Sequence, residues 1–338
     1  MKLRQQALAR VRRLVVKVGT GVLTDVGAKP MVGQLVALHR DGMEILVVSS
    51  GAIAAGMKVL GLTERPRRLD QLQACAAVGQ GKLMGSYDAL FGEHGIHVAQ
   101  VLLTHDDLRN RHRHLCARST LLRLLAHRVI PIINENDTVA VDEIKFGDND
   151  RLSALVATLV DADLLVILSH IEGLLDADKN RISIVPAITA EVEALAGGTD
   201  RATSVGGMKS KIEAAKIVTR AGIPMIIASG VRDDTLLAAL AGEDVGTLFL
   251  PKSVRLQSRK RWIAFFQKPC AKLIVDAGAK RALCEGRKSL LAKGLVRTEG
   301  SFMPGHVVSI AGPDGVEFAR GLARDGEVVV HRDDLVIL

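Results

Sequence analysis

The sequence has 338 residues, of which 48% are hydrophobic and only 3% aromatic, with 32 glycines and a formal net charge of +8. This length supports a large core and a second, smaller domain, because single cores rarely grow beyond about 250–300 residues, and the composition excludes a disordered or fibrous chain. Cys75, Cys116, Cys270 and Cys284 lie far apart with no CxxC pair, which argues against a disulfide framework or a zinc ribbon and for buried thiols in a reducing compartment.

The first residues, MKLRQQALARVRRLVVKVGT, are broken by charges every few positions and lack the apolar core of a signal peptide. No tract reaches the roughly 20 uninterrupted apolar residues of a membrane helix, so a cytoplasmic protein with no membrane contact is expected. Leu14–Val18 (LVVKV) reads as a buried parallel strand carrying Lys17, with Gly19-Thr20-Gly21 directly after it. A lysine there needs an anion. A helix follows around Val32, Leu35, Val36 and Leu38, ending at Asp41-Gly42. The next strand, Glu44–Val48, runs into Ser49-Ser50-Gly51-Ala52. Small residues at such a junction let backbone N–H groups approach a carboxylate or phosphate, and the following helix start adds its positive end.

A basic, polar middle from Gly61 to Arg128 holds two helices and a strand at Val98–Leu103. The cluster Arg109, Arg111, His112, Arg113 and His114 reads as a solvated helix face. His94, His97 and His105 match no zinc pattern and receive no role.

Ile132–Val160, IINENDTVAVDEIKFGDNDRLSALVATLV, is the most informative stretch. Leu152, Leu155, Val156, Leu159 and Val160 share one helical face, which puts Asp148, Asn149 and Asp150 at the helix N-terminus. A cap needs one such residue, whereas this segment also brings Asn134, Glu135, Asn136 and Asp137 to the end of the preceding strand, a density of acids that asks for a cationic partner. Strands at Val129–Ile133, Leu164–Leu168 and Pro224–Ala228 alternate with helical patterns, so an α/β fold with a mainly parallel central sheet sandwiched by helices is expected. Lys17, Ser50, Gly51, Asn134–Asp137, Ser169, His170 and Ser229-Gly230 then fall at carboxyl strand ends, where open α/β sheets place ligands.

Val205-Gly206-Gly207-Met208-Lys209-Ser210-Lys211 opens a helix ending at Gly222, and paired glycines before a lysine-bearing helix start can cradle a phosphate. Neither GxxxxGK[ST] nor GxGxxG occurs. Pro251–Arg261 carries five basic residues and no acid, as an exposed linker would, and from Ala271 short Val/Ile-rich runs separated by glycines indicate a small β-rich domain. The expected domains are 1–258, a linker at 259–270, and 271–338.

Read together, VVKVGT, VSSGAIAAG and INENDTVAVDEIKFGDNDRLSALVA resemble the amino-acid kinase family, in the branch that phosphorylates glutamate. GRKSLLAKGL, FMPGHVVSI and GVEFARG resemble the PUA domain appended to many bacterial members, with a helical stretch between Leu322 and Val328 expected to be missing. The resemblance implies ATP- and Mg2+-dependent phosphorylation of the γ-carboxylate of L-glutamate, the first step of proline synthesis. Lys17, Lys211 and Asp150 take the catalytic roles, with Asp150 holding the lysines in place. Ser50, Gly51, Asn134, Asp137, Asp148 and Asn149 fall to the substrate. Lys17, Ser169, His170 and Val205 through Lys211 (Val205, Gly206, Gly207, Met208, Lys209, Ser210, Lys211) fall to the nucleotide. Mg2+ comes mainly through the nucleotide, with no protein metal ligands. Ser169-His170 stands where Thr-Asp is common, and Val205 where threonine is common. The same resemblance implies a homo-oligomer (dimer or tetramer), feedback inhibition by L-proline and contact with the next enzyme, glutamate-5-semialdehyde dehydrogenase. The alternatives are a kinase for N-acetylglutamate, aspartate or UMP, or an RNA-binding protein. Nucleic acid is not expected as a partner, because ten Lys/Arg nearly balance nine Asp/Glu from Ala271 onward.

Overall fold

The apolar runs of the first 250 residues become strands of one sheet. The computed structural model describes residues 2–25, 27–139, 149–197, 207–251, 258–286 and 288–338, in two units that divide between Arg255 and Leu256. In the first unit, β1 (Arg13–Val18), β2 (Glu44–Ser49), β3 (Val98–Leu103), β4 (Ile130–Glu135), β5 (Leu164–Ser169), β6 (Ile184–Val185), β7 (Met225–Ser229) and β8 (Thr247–Phe249) pair in the order β3-β4-β2-β1-β5-β7-β8-β6. Every neighbouring pair is parallel except β7–β8. Val16, Val47, Ile132, Val166 and Ile226 are fully buried, as central parallel strands covered on both faces require.

Register decides where the chemistry collects. Val18 lies opposite both Ser49 and Leu168, Val48 opposite Ile133, and Ser169 opposite Ser229. Five strands therefore end level, and the residues just beyond them line one edge of the sheet.

The turn after β2 is fixed from behind by glycine. The helices Ala52–Val59 and Leu69–Gly92 cross with their backbones in contact. A Cβ on Gly56 would stand 1.8 Å from the Cys75 carbonyl oxygen, and one on Gly79 1.7 Å from that of Ala52. No side chain fits there. The crossing seats the start of the shorter helix at Gly51, whose φ of 100° is left-handed. At the chain start, the buried guanidinium of Arg4 in the helix Lys2–Leu8 donates to the carbonyls of Ser183, Glu243, Val245 and Gly246 at 2.6–3.1 Å, tying that helix to the β6–β8 edge.

In the second unit, β9 (Ala271–Val275), β10 (Leu290–Leu291), β11 (Leu295–Gly300), β12 (Val307–Ala311), β13 (Glu317–Ala323) and β14 (Val328–Ile337) pair in the order β10-β14-β13-β12-β9-β11. Leu273, Val275, Val308, Ile310 and Val330 fill their own core. β13 passes to β14 through residues 324–327, the region where the sequence is expected to be short.

Two expectations are corrected. Residues 259–266, expected as exposed linker, form the helix Ser258–Arg261 and a wide helical turn at Trp262–Phe266, all five of whose residues are buried. The basic run around Arg259–Arg261 hides in sequence an apolar WIAFF segment that must be covered. Of the cysteines only Cys75 is buried, and Cys116, Cys270 and Cys284 are exposed thiols.

The helix crossing gives a paired prediction. Gly79→Ala should lower the melting temperature sharply. Gly85→Ala, on the same helix but exposed with no atom near its added Cβ, should raise it, since alanine favours a helix over glycine by about 1 kcal/mol. Thermal unfolding of the two variants beside the parent checks both.

Candidate active site

Three elements meet at one carboxylate. Asp150 opens the helix Asp150–Leu159 and is fully buried. Lys17 of β1 reaches its Oδ1 at 2.6 Å, and Lys211 of the helix Met208–Arg220 reaches its Oδ2 at 3.0 Å, both lysines being buried. The Ser210 hydroxyl donates to the same Oδ2 at 2.9 Å. Burial pushes the Asp150 carboxyl up, but the ammonium groups of Lys17 and Lys211 outweigh it and hold Asp150 well below the usual carboxylate range. Among the described residues, two cations meet one anion in a desolvated place, which suits an incoming anion. Lys17, Lys211 and Asp150, separated by up to 194 positions in the chain, are thus brought together as the family resemblance implies.

Asn149 and Asp150 share a peptide bond but serve different neighbours. The Asn149 side chain occupies the cap position without capping the helix; its Nδ2 donates instead to the Ser49 carbonyl and to Asn134 Oδ1, both at 2.7 Å. Asn134 Oδ1 also accepts the Glu135 backbone N–H at 2.8 Å, and its Nδ2 donates to Gln80 Oε1 at 2.8 Å. A backbone carbonyl only accepts and a backbone N–H only donates, so Ser49 and Glu135 fix which way both amides face. The Asn149 Oδ1 is then the end presented to a ligand, an acceptor.

Asn149 lines a cavity together with Thr20, Ser50, Gly51, Ala52, Ile53, Ala54, Arg65, Asn134, Glu135 and Asp137. The Ser50 hydroxyl is buried and has no hydrogen-bond partner among the described residues, beside the helix start at Gly51. On the other side, burial and the neighbouring Glu135 carboxylate push the Asp137 carboxyl up to about 6, against a downward pull from Arg65. Glu135 is itself buried, 3.4 Å from His105. The cavity can thus hold a cation against Asp137, Glu135 and the Asn149 oxygen, and an anion against Ser50.

On the other side of the lysines, Gly207 precedes the helix carrying Met208, Lys209, Ser210 and Lys211. Ser169 is buried at the end of β5, its carbonyl accepting the Gly230 N–H at 2.8 Å, while His170 is exposed. Asp148, Val205 and Gly206 lie outside the described residues.

Glu135, marked by the sequence as part of the acid-rich run but given no role, lines the cavity, whereas Arg65 lines it without having been singled out, as Gln80 supports it from behind through Asn134. Gln80, a polar residue beside Gly79 on an otherwise packed helix, carries a weaker signal. Nothing in the pattern around Arg65 marks it.

A parallel α/β sheet with two lysines on one buried aspartate beyond its carboxyl edge defines an enzyme class that handles a transferring anion. Residues 12–229 match the amino acid kinase family and residues 271–326 the PUA domain, and the chain belongs to the amino acid kinase family. It is 44% identical to a protein named glutamate 5-kinase from Pelobacter propionicus, covering 99% of this chain and 100% of that one. Identity is 46% to a glutamate 5-kinase from Moorella thermoacetica, over 98% of each chain, and 48% to one from Pseudomonas putida, over 92% of this chain and 87% of that one. The Pelobacter alignment spans 373 residues, more than the 338 here, so that relative carries segments this chain lacks. Among solved structures, the carbamate kinase of Giardia superposes with a TM-score of 0.52 at 17% identity, covering 72% of this chain and 100% of that one, and shares the fold.

The raised Asp137 carboxyl predicts a conflict between binding and stability. Its ordinary value is 3.8 and its folded value about 6, so ionisation costs the fold little below pH 4 and the full amount above pH 6. Asp137→Asn should raise the melting temperature of the ligand-free protein at pH 8, and the gain should shrink as the pH falls towards 4. Melting curves of the two proteins across that range check it.

Proposed function

We propose that this protein transfers the γ-phosphoryl group of ATP to the γ-carboxylate of L-glutamate, giving γ-glutamyl phosphate and ADP, the activity named in its glutamate 5-kinase relatives. The observation that carries this reading is the adjacency of Asn149 and Asp150: one amide faces a cavity fitted for an amino acid, and the next carboxylate holds the two lysines.

The attacking oxygen belongs to the substrate. A glutamate γ-carboxylate is already ionised at neutral pH, so no enzyme nucleophile or general base is required. The protein's task is placement and charge stabilisation around a loose, in-line transfer. Glutamate's ammonium fits Asp137 and the Asn149 oxygen, its α-carboxylate fits the Ser50 hydroxyl and the helix start at Gly51, and its γ-carboxylate extends toward Lys17. The phosphates of ATP fit the helix start at Gly207 and Lys211, with Ser169 and His170 on the nucleotide side. Bound ATP supplies the transferable phosphoryl group and, with Mg2+ carried on its phosphates, part of the charge neutralisation. Lys17 and Lys211 meet the charge that develops on the transferred group, and Asp150 keeps both aimed.

A coupled ADP-release assay over glutamate, N-acetylglutamate, aspartate and UMP tests the assignment. Glutamate should be the substrate turned over, because an N-acetylated amino group cannot use Asp137 as an ammonium does; turnover of another member in its place would overturn it. Lys17→Ala and Lys211→Ala should each lower kcat about 10²–10³-fold with a smaller change in glutamate KM. Near-parental kcat in either variant would remove that lysine from the chemistry.

L-Proline shares glutamate's α-ammonium and α-carboxylate but lacks the γ-carboxylate. It occupies the seat of Ser50, Asp137 and Asn149 and inhibits by competition, so raising glutamate should relieve it. Inhibition that saturating glutamate leaves intact would require a separate site.

A further inference from the structure

The substrate cavity contains a cation that the proposed chemistry does not use. Among its described lining residues two are acids, Glu135 and Asp137, and Arg65 supplies the positive charge. That charge is felt inside, since it draws the Asp137 carboxyl down against burial and Glu135. Lys17 and Lys211 are not part of the lining and are both on Asp150.

If the substrate is L-glutamate, as read above, it brings three charges. The ammonium has Asp137, and the γ-carboxylate must extend toward the lysines to react. The α-carboxylate is then left against the Ser50 hydroxyl and the start of the helix Ala52–Val59, which supply neutral donors and a partial positive charge. Its own counter-cation has to come from elsewhere in the cavity, and Arg65 is placed for it.

The backbone around Arg65 supports such a role. Residues 60–68 connect the two helices that Gly56 and Gly79 lock together, so both ends of the connector are anchored. Gly61 turns with φ of 67°, and Arg65 itself is exposed at the cavity's edge. A guanidinium offers a paired N–H fork to a carboxylate, which an ammonium does not.

We propose that Arg65 is a specificity-determining residue that pairs with the α-carboxylate of the bound amino acid and selects substrates in which that carboxylate is unblocked. In the ligand-free protein its charge sits near Asp137; on binding, the substrate ammonium satisfies Asp137 and Arg65 turns to the α-carboxylate. Asp137 thereby gains a full ion pair with the substrate while Arg65 meets the α-carboxylate.

Steady-state kinetics of the full chain with L-glutamate and with its α-amide, which keeps the ammonium and the γ-carboxylate, test this. Arg65→Ala should raise the KM for glutamate about tenfold or more, as loss of a charged hydrogen bond does, with kcat nearly unchanged. The KM for the α-amide should hardly move, so the preference for glutamate collapses, and Arg65→Lys should restore part of it. Equal changes for the two substrates, or no change for either, would overturn the proposal, since a merely structural arginine alters both alike. An unmodified protein that turns over neither compound would instead refute the glutamate assignment, and this inference with it.

Discussion

The buried contact of Asp150 with Lys17 and Lys211 is the interaction on which the rest depends. Burying three charged groups is costly, and removing one member of such a cluster typically destabilises by about 3–5 kcal/mol. The arrangement persists because a strand and two helices deliver the groups to within 2.6 and 3.0 Å, where each lysine meets its own oxygen. It also stores something the reaction needs. Its two ammonium groups are held in a place from which water is largely removed, so an anion entering it is met by groups that need no rearrangement.

The other half of the site depends on how closely two helix backbones approach. Gly56 and Gly79 remove the side chains that would hold the helices Ala52–Val59 and Leu69–Gly92 apart. The longer helix can then present Gln80 to Asn134, and Tyr87, whose hydroxyl shares a 3.0 Å hydrogen bond with Ser49. From there the amides of Asn134 and Asn149 are oriented by backbone groups of Ser49 and Glu135. Packing energy is thus converted into the direction of a single oxygen. Asp137 shows the opposite economy: a carboxyl pushed to about 6 by burial and Glu135 weakens the empty fold and suits the arrival of an ammonium.

The second unit has its own core and sheet, and its first buried residues lie earlier in the chain than composition implies. Trp262–Phe266 are covered within it, so the basic run before them belongs partly to a folded element. Buried Asp334 accepts a hydrogen bond from Arg324 and forms an ion pair with Arg259, each at 2.7 Å, which accounts for part of that basic charge.

The sequence by itself determined the sheet strands that lie in unbroken Val/Ile/Leu runs, the mainly parallel α/β architecture, the small β-rich unit, and the candidates Lys17, Ser50, Asn134, Asp137, Asn149, Asp150 and Lys211. Each is legible locally, because apolar periodicity, strand-end glycines and a dense acid run leave marks within about ten residues of themselves. Tertiary structure alone decided the rest. Which carboxylate both lysines share, which end of Asn149 faces the cavity, why Gly56 and Gly79 must be glycine, and that Arg65 and Glu135 line the same wall all depend on contacts between segments far apart in the chain. Such contacts are set by strand register and helix crossing, and neither is written in the residues that make them.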